Sequence, residues 1–302
     1  MFPGQGAQRV GMLHGLPDTD EVERTLHQAS EILGSDCQLL DSASALESTY
    51  AVQLCLLIAG VAMARVFAAN KVVPDMVAGL SVGAFPAAVT AGALEYADAI
   101  RLVQLRAQLM ERAYPQGYGM AAINGLDKFA LQKMIDAVHC DAAPVYLANL
   151  NAPQKLVISG INSALEKVLQ KALQSGASKA IQLAVNVPSH CPLFADAMRQ
   201  MQNAMKQLVL YRPTRTYLSA NAARALFDPN LIGIDLASNM ARQVHWSETS
   251  RLAWERGARL AFEMPGGTVL SDLVGAQWSD GMALSCDTSR LDTLIALARR
   301  SC

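Results

Sequence analysis

Apolar positions recur with helical spacing in some stretches of the chain and alternate with polar ones in others. Residues 45–69 are rich in Leu, Ala and Val with few breakers, which predicts one long buried helix. A strand is expected at 72–78, with Pro74 inside it and a turn beginning at Gly79. Helices follow at 82–89 and 96–114, the second clearly amphipathic. The texture changes after 115–117. Strands are predicted at 119–123, 145–150, 155–159 and 180–187, with helices at 128–138 and 164–174. That βαββαβ order is the split-βαβ, ferredoxin-like unit. It predicts a small domain over 117–188 inserted into a larger α/β domain made of 1–116 and 189–302. The larger domain resumes with helices near 193–207, 235–243 and 247–256. A strand at 258–263 then leads into Pro265-Gly266-Gly267 and more helix.

Composition narrows the function classes. The chain has 302 residues, of which 52% are hydrophobic and 17% charged, enough for a substantial core. Its net charge of −1 argues against a nucleic-acid partner. The most apolar run, 54–64, is bracketed by Gln53 and Arg65 and reads as a core helix rather than a membrane span. The opening residues lack the features of a signal peptide. Cys37, Cys55, Cys140, Cys191, Cys286 and Cys302 have neither paired nor metal-ligand spacing, as in a reduced, cytoplasmic protein. The 117–188 segment carries six lysines against four acidic residues, a mild positive bias.

Chemistry is concentrated in three places. Gly79-Leu80-Ser81-Val82-Gly83 fits G-x-S-x-G where a strand is expected to hand over to a helix, the setting of a nucleophile elbow. The alternative is an ordinary glycine-rich turn. A serine nucleophile needs a base. His14, His27 and His139 lie in polar or helical surroundings and read as surface residues. His190 stands on a loop stiffened by Pro188, which suits acid–base work, and His245 beside Trp246 competes with it. Arg106 sits among Leu102, Val103, Leu109, Met110 and Ala113 on the apolar stripe of its helix. A guanidinium there needs an anion, either an internal carboxylate or a substrate carboxylate held bidentately. Pro3-Gly4-Gln5-Gly6 is no dinucleotide fingerprint, because Arg9 replaces the third glycine. Its backbone amides could serve an oxyanion hole.

In order along the chain, five motifs resemble the malonyl-CoA:acyl-carrier-protein transacylase family. They are Phe2-Pro3-Gly4-Gln5-Gly6-Ala7-Gln8, Gly79 to Gly83, Leu105-Arg106 with Met110, Asn149-Leu150-Asn151-Ala152-Pro153, and Val187-Pro188-Ser189-His190. The resemblance implies an α/β-hydrolase-like large domain carrying the ferredoxin-like insert. It also implies Ser81 as the acylated nucleophile, His190 as its base, the amides of Gln5 and Val82 as the oxyanion hole, and Arg106 on the malonyl carboxylate. Asn149 would contribute to substrate binding. A backbone carbonyl, rather than an aspartate, would orient the histidine. No bound cofactor or metal is implied. The substrate would be malonyl-CoA and the acceptor a phosphopantetheine-type thiol on an acyl carrier protein.

Several positions depart from the usual pattern: Leu80, Ala84, His245 and the run Glu263-Met264-Pro265-Gly266-Gly267. The run from Gly79 to Ala88 that holds Leu80 and Ala84, Tyr118-Gly119-Met120 and Glu263-Met264-Pro265 together look most like the epsilon subunit of bacterial malonate decarboxylase, whose acceptor is that complex's own carrier subunit, with its other subunits as further partners. A fatty-acid-synthesis transacylase, a serine thioesterase or hydrolase, and a non-catalytic docking subunit are the alternatives. Only Met1 precedes Phe2, so a short first strand is expected.

Overall fold

The computed structural model describes residues 1–114 and 116–301, the side chain of Ser301 excepted. Pro115, at the expected change of texture, and Cys302 lie outside the described residues. The chain opens with helix α1 (Asp20–Leu33), whose N-cap Thr19 accepts from the Val22 amide. Helix α2 (Thr49–Ala69) follows, then strand β1 (Met76–Ala78), the short helix α3 (Ala84–Thr90) and helix α4 (Tyr96–Ala113). Although α2 is apolar and long enough to cross a bilayer, 83% of its most apolar window is buried inside the protein. It is a core helix, packed against α1 and α4, and Ser48 caps it. Residues 45–47, expected within it, form a separate 3-10 turn.

A small antiparallel sheet comes next. Strand β2 (Tyr118–Asn124), helix α5 (Lys128–Asp136), strands β3 (Val145–Ala152) and β4 (Lys155–Ile161), helix α6 (Asn162–Gln174) and strand β5 (Lys179–Gln182) assemble with strand order β3-β4-β2-β5. That order is ferredoxin-like. Its core, which includes Ile123, Leu131, Ile135, Ile158 and Leu165, is separate from the main one. The last strand is shorter than the 180–187 expected. After Leu183 the chain leaves the sheet, and Val185 and Val187 bury themselves in the large core instead.

The remainder completes the large α/β part: α7 (Ala195–Met205), β6 (Thr216–Ser219), β7 (Arg224–Leu226), α8 (Pro229–Ser238), α9 (Trp246–Glu255), β8 (Leu260–Glu263), α10 (Val269–Gln277), β9 (Met282–Ser285) and α11 (Leu291–Ser301). Parallel pairs β1–β6 and β8–β9 are joined through the first two residues. The Phe2 amide donates to Ala78 O and the Leu80 amide to Phe2 O, while the Met264 amide donates to Met1 O. Met1 and Phe2 thus fill the gap between β1 and β8. Two expectations need correction here. The 72–78 strand shrinks to β1, because Pro74 lacks the N–H a ladder requires. The 235–243 helix begins earlier, at Pro229, with Asp228 capping the Asn230 amide, and ends in a 3-10 turn at Asn239–Ala241.

Candidate active site

Ser81 occupies a sharp turn between β1 and α3, with φ +56. Such a φ is costly for a residue with a Cβ and survives only where the surroundings enforce it. Here they do. A Cβ on Gly79 would run into the Gly83 carbonyl, and one on Gly83 would run into the Phe2 carbonyl. Both glycines of G-x-S-x-G are therefore demanded by close backbone approach, so the glycine-rich turn is a nucleophile elbow in geometry. The Pro3–Gln5 turn lies over it: a Cβ on Gly4 would sit 2.8 Å from Leu80 O and 3.2 Å from the Ser81 Cβ. Gln5, half-buried, donates from its side chain to Thr49 Oγ1. Val82 is fully buried directly after the serine.

His190 is the histidine that reaches Ser81. It too has a left-handed backbone, φ +64, and its amide donates to Met240 O. The imidazole Nδ1 lies 2.9 Å from Asn239 O and 3.2 Å from Arg242 O. A carbonyl oxygen can only accept, so Nδ1 carries the hydrogen and Nε2 keeps its lone pair. That Nε2 is 2.8 Å from Ser81 Oγ, placed to accept the hydroxyl proton. The carbonyls closing the end of α8 and the 3-10 turn after it thus stand where a triad would have its carboxylate. Burial, and then the Arg106 charge, push His190 down to about 4, so the imidazole is neutral at pH 7. His14 pairs with Asp41, His27 lies beside Glu31, and His139 Nδ1 is bonded to Val145 O. His245 caps α9 with Nδ1 3.5 Å from a Glu248 carboxylate oxygen, so it neither serves Ser81 nor orients His190.

Arg106 resolves in a way its helix alone could not. It is 1% exposed, and no carboxylate among the described residues lies within ion-pair distance of it. Its Nη1 donates to Gln53 Oε1 (2.6 Å), and its Nη2 donates to Asn239 Oδ1 (3.1 Å) and Ser81 Oγ (3.2 Å). Nε is buried with no hydrogen-bond partner. Burial lowers its pKa, to about 9, which still leaves it charged at neutral pH. The internal salt bridge is therefore excluded among the described residues. What stands beside the serine is a desolvated cation cradled by neutral amides.

Asn149 is not drawn into this network. It is buried on β3, next to a bulge, with Oδ1 lacking a partner, and hydrogen-bonds to none of Ser81, His190 and Arg106. Its backbone pairs with Val244, which ties the small sheet to the segment after the His190-orienting turn. Sequence reasoning missed Gln53 and Asn239. For Gln53 a signal existed: a glutamine on the apolar α2. For Asn239 there was none. Among the described residues no His, Cys, Asp or Glu cluster could hold a metal ion.

A neutral imidazole facing a strained serine hydroxyl can generate a nucleophile. A buried cation beside it can hold a carboxylate carried by the group under attack. Residues 1–282 match the acyl transferase domain family. The malonyl CoA-acyl carrier protein transacylase of Haemophilus influenzae is 35% identical over 292 residues, covering 94% of this chain and 93% of that one. The solved malonyl CoA-acyl carrier protein transacylase of Coxiella burnetii superposes with a TM-score of 0.93 at 31% identity, over 99% and 95% of the two chains. A malonyl-transacylase solved in complex with its type II polyketide acyl-carrier protein gives 0.91 at 30% identity, over 100% and 98%. The chain belongs to the acyl transferase family, among the malonyl-CoA:acyl-carrier-protein transacylases.

Proposed function

We propose that this protein transfers a malonyl group from malonyl-CoA, through an ester on Ser81, to the prosthetic thiol of an acyl carrier protein. The observation that carries the reading is the buried Arg106 guanidinium, held only by amides and the Ser81 hydroxyl. A hydrolase acting on neutral acyl groups has no use for such a cation, and a docking subunit has none for the Ser81–His190 pair.

The steps are those of ping-pong acyl transfer. His190 Nε2 takes the Ser81 proton as Oγ attacks the thioester carbonyl. The Gln5 and Val82 amides stabilise the oxyanion. The C–S bond breaks, and the proton on Nε2 passes to the departing CoA sulfur. The carrier thiol then attacks the malonyl ester, giving its proton to His190, and the Ser81 oxygen recovers it as the C–O bond breaks. Arg106 holds the malonyl carboxylate throughout, and the buried, unpartnered Asn149 Oδ1 is what supports a substrate contact for that residue. The reaction calls for no cofactor or metal.

For the acceptor, we favour the carrier subunit of malonate decarboxylase over a fatty-acid-synthesis carrier. What supports this is the set of departures around Leu80, Ala84, Tyr118-Gly119-Met120 and Glu263-Met264-Pro265. The test is intact mass after brief exposure to malonyl-CoA, with Ser81→Ala alongside, followed by discharge with each carrier. A malonyl adduct absent from Ser81→Ala, and removed faster by a carrier thiol than by water, is expected. Equal discharge by water means a thioesterase, and no adduct means a docking role. Faster discharge by the fatty-acid-synthesis carrier would reverse the choice of acceptor.

A further inference from the structure

Besides Ser81 itself, Asn239 bonds to both Arg106 and His190. Its side-chain Oδ1 accepts from Arg106 Nη2, and its main-chain oxygen accepts from His190 Nδ1. It is 1% exposed and sits in the 3-10 turn that ends α8. The other contact on the Arg106 head group from outside the elbow, Gln53 Oε1, is also an amide oxygen. A buried guanidinium would ordinarily be matched with Asp or Glu, because an unpaired buried charge is costly. An amide accepts the same hydrogen bond without cancelling the charge. Replacing either amide oxygen with a carboxylate would be nearly isosteric, yet would supply the anion that Arg106 lacks.

We propose that Asn239 is a specificity-determining positioning residue: it aims the Arg106 guanidinium with a neutral acceptor, so that the cation remains unpaired for a substrate carboxylate, while its carbonyl sets the His190 tautomer. The same residue thereby keeps the carboxylate-holding group and the base in a fixed relation. This rests on the malonyl-transfer reading and names the residue that makes the site selective for an acyl group bearing a carboxylate.

The test compares loading of Ser81 from malonyl-CoA and from acetyl-CoA in wild type, Asn239→Asp, Asn239→Ala and Gln53→Glu. Titration with free malonate is a readout independent of turnover. In Asn239→Asp the fixed carboxylate competes with the substrate's. The malonyl-to-acetyl loading ratio should fall about 10- to 100-fold, mostly through the malonyl KM, and malonate binding should weaken in parallel. Gln53→Glu, which approaches the same guanidinium from α2, should reproduce the effect. Asn239→Ala loses the aim but adds no anion and keeps the main-chain oxygen that faces His190, so acetyl loading should hold and the ratio should fall clearly less than in Asn239→Asp. A wild-type ratio and wild-type malonate affinity in Asn239→Asp would overturn the proposal. So would an identical phenotype in the Asp and Ala variants, which would mark a purely structural role. If one carboxylate variant fails to fold, the other decides. If neither folds while Asn239→Ala does, the pocket cannot host a carboxylate beside Arg106, and the proposal fails. Failure of the transfer reading is distinct: wild type itself would then show no preference for malonyl-CoA.

Discussion

Glu263 and Arg106 are both buried charges, and they are treated in opposite ways. Glu263, at the end of β8, is fully buried and accepts from the Leu270 amide, the Ser271 amide and the Ser271 hydroxyl. Those groups belong to the first turn of α10, where backbone N–H groups need acceptors and the helix dipole favours a negative charge. Burial raises the Glu263 pKa, and the same hydrogen bonds oppose that rise. Every demand of this charge is met locally, so it fastens β8 to α10. Arg106 meets two amides and a hydroxyl, no carboxylate, and keeps Nε without a partner. A buried charge satisfied by its own fold does structural work. A buried charge left short leaves the fold bearing its desolvation cost, which is what the proposed role of Arg106 toward a substrate carboxylate would offset.

That contrast can be broken in three ways. The largest effect is expected for Arg106→Ala. Malonyl loading of Ser81 should fall about 10- to 100-fold relative to acetyl loading, the value of a charge-assisted hydrogen bond or two, while thermal stability holds or rises as the uncompensated charge disappears. Competition kinetics with the two acyl-CoA substrates and a melting curve read both quantities. Equal loss with both acyl groups would show that Arg106 is structural after all. A smaller, opposite pattern is expected for Glu263→Gln. The new amide N–H₂ faces donors it cannot accept from, costing about 1–3 kcal/mol of stability. The malonyl-to-acetyl ratio should not change, and a changed ratio would place Glu263 in the site.

The smallest effect concerns pH. Because His190 is held near 4, loading should keep its base down to about pH 4, well below the ordinary histidine range, and be lost as the imidazole protonates below that. Burial is the larger cause and Arg106 the second. Removing the cation in Arg106→Ala should therefore move the acid limb of acetyl loading upward, while burial still keeps it below 6.5. An unmoved or lowered limb would mean that the guanidinium does not act on the imidazole.

How much was legible beforehand follows the range of each interaction. The Ser81 elbow was readable because Gly79 and Gly83 answer close backbone contacts, and only glycine fits them. Arg106 was readable as an anomaly because helical spacing placed a cation on an apolar stripe, although Ala113 at the helix end proves exposed. The choice between His190 and His245 was readable from the family resemblance but not from spacing. What orients His190 is a set of carbonyl oxygens, and every residue in the chain has one. The short strands β6, β7 and β9 carry too few residues for periodicity to register, and α1 was not anticipated.

The sequence by itself therefore determined the local pieces: a strained serine turn, a misplaced arginine, a ferredoxin-like order of elements, and five motifs that name a family. Only the tertiary structure decided what the arginine faces. Gln53 and Asn239 lie 53 and 133 residues from it, on α2 and at the end of α8. Their amides and the carbonyls around His190 acquire meaning only when packing brings those elements to one point. A hydrogen-bond acceptor is present at every position of a chain, and packing alone selects which of them meets a buried charge.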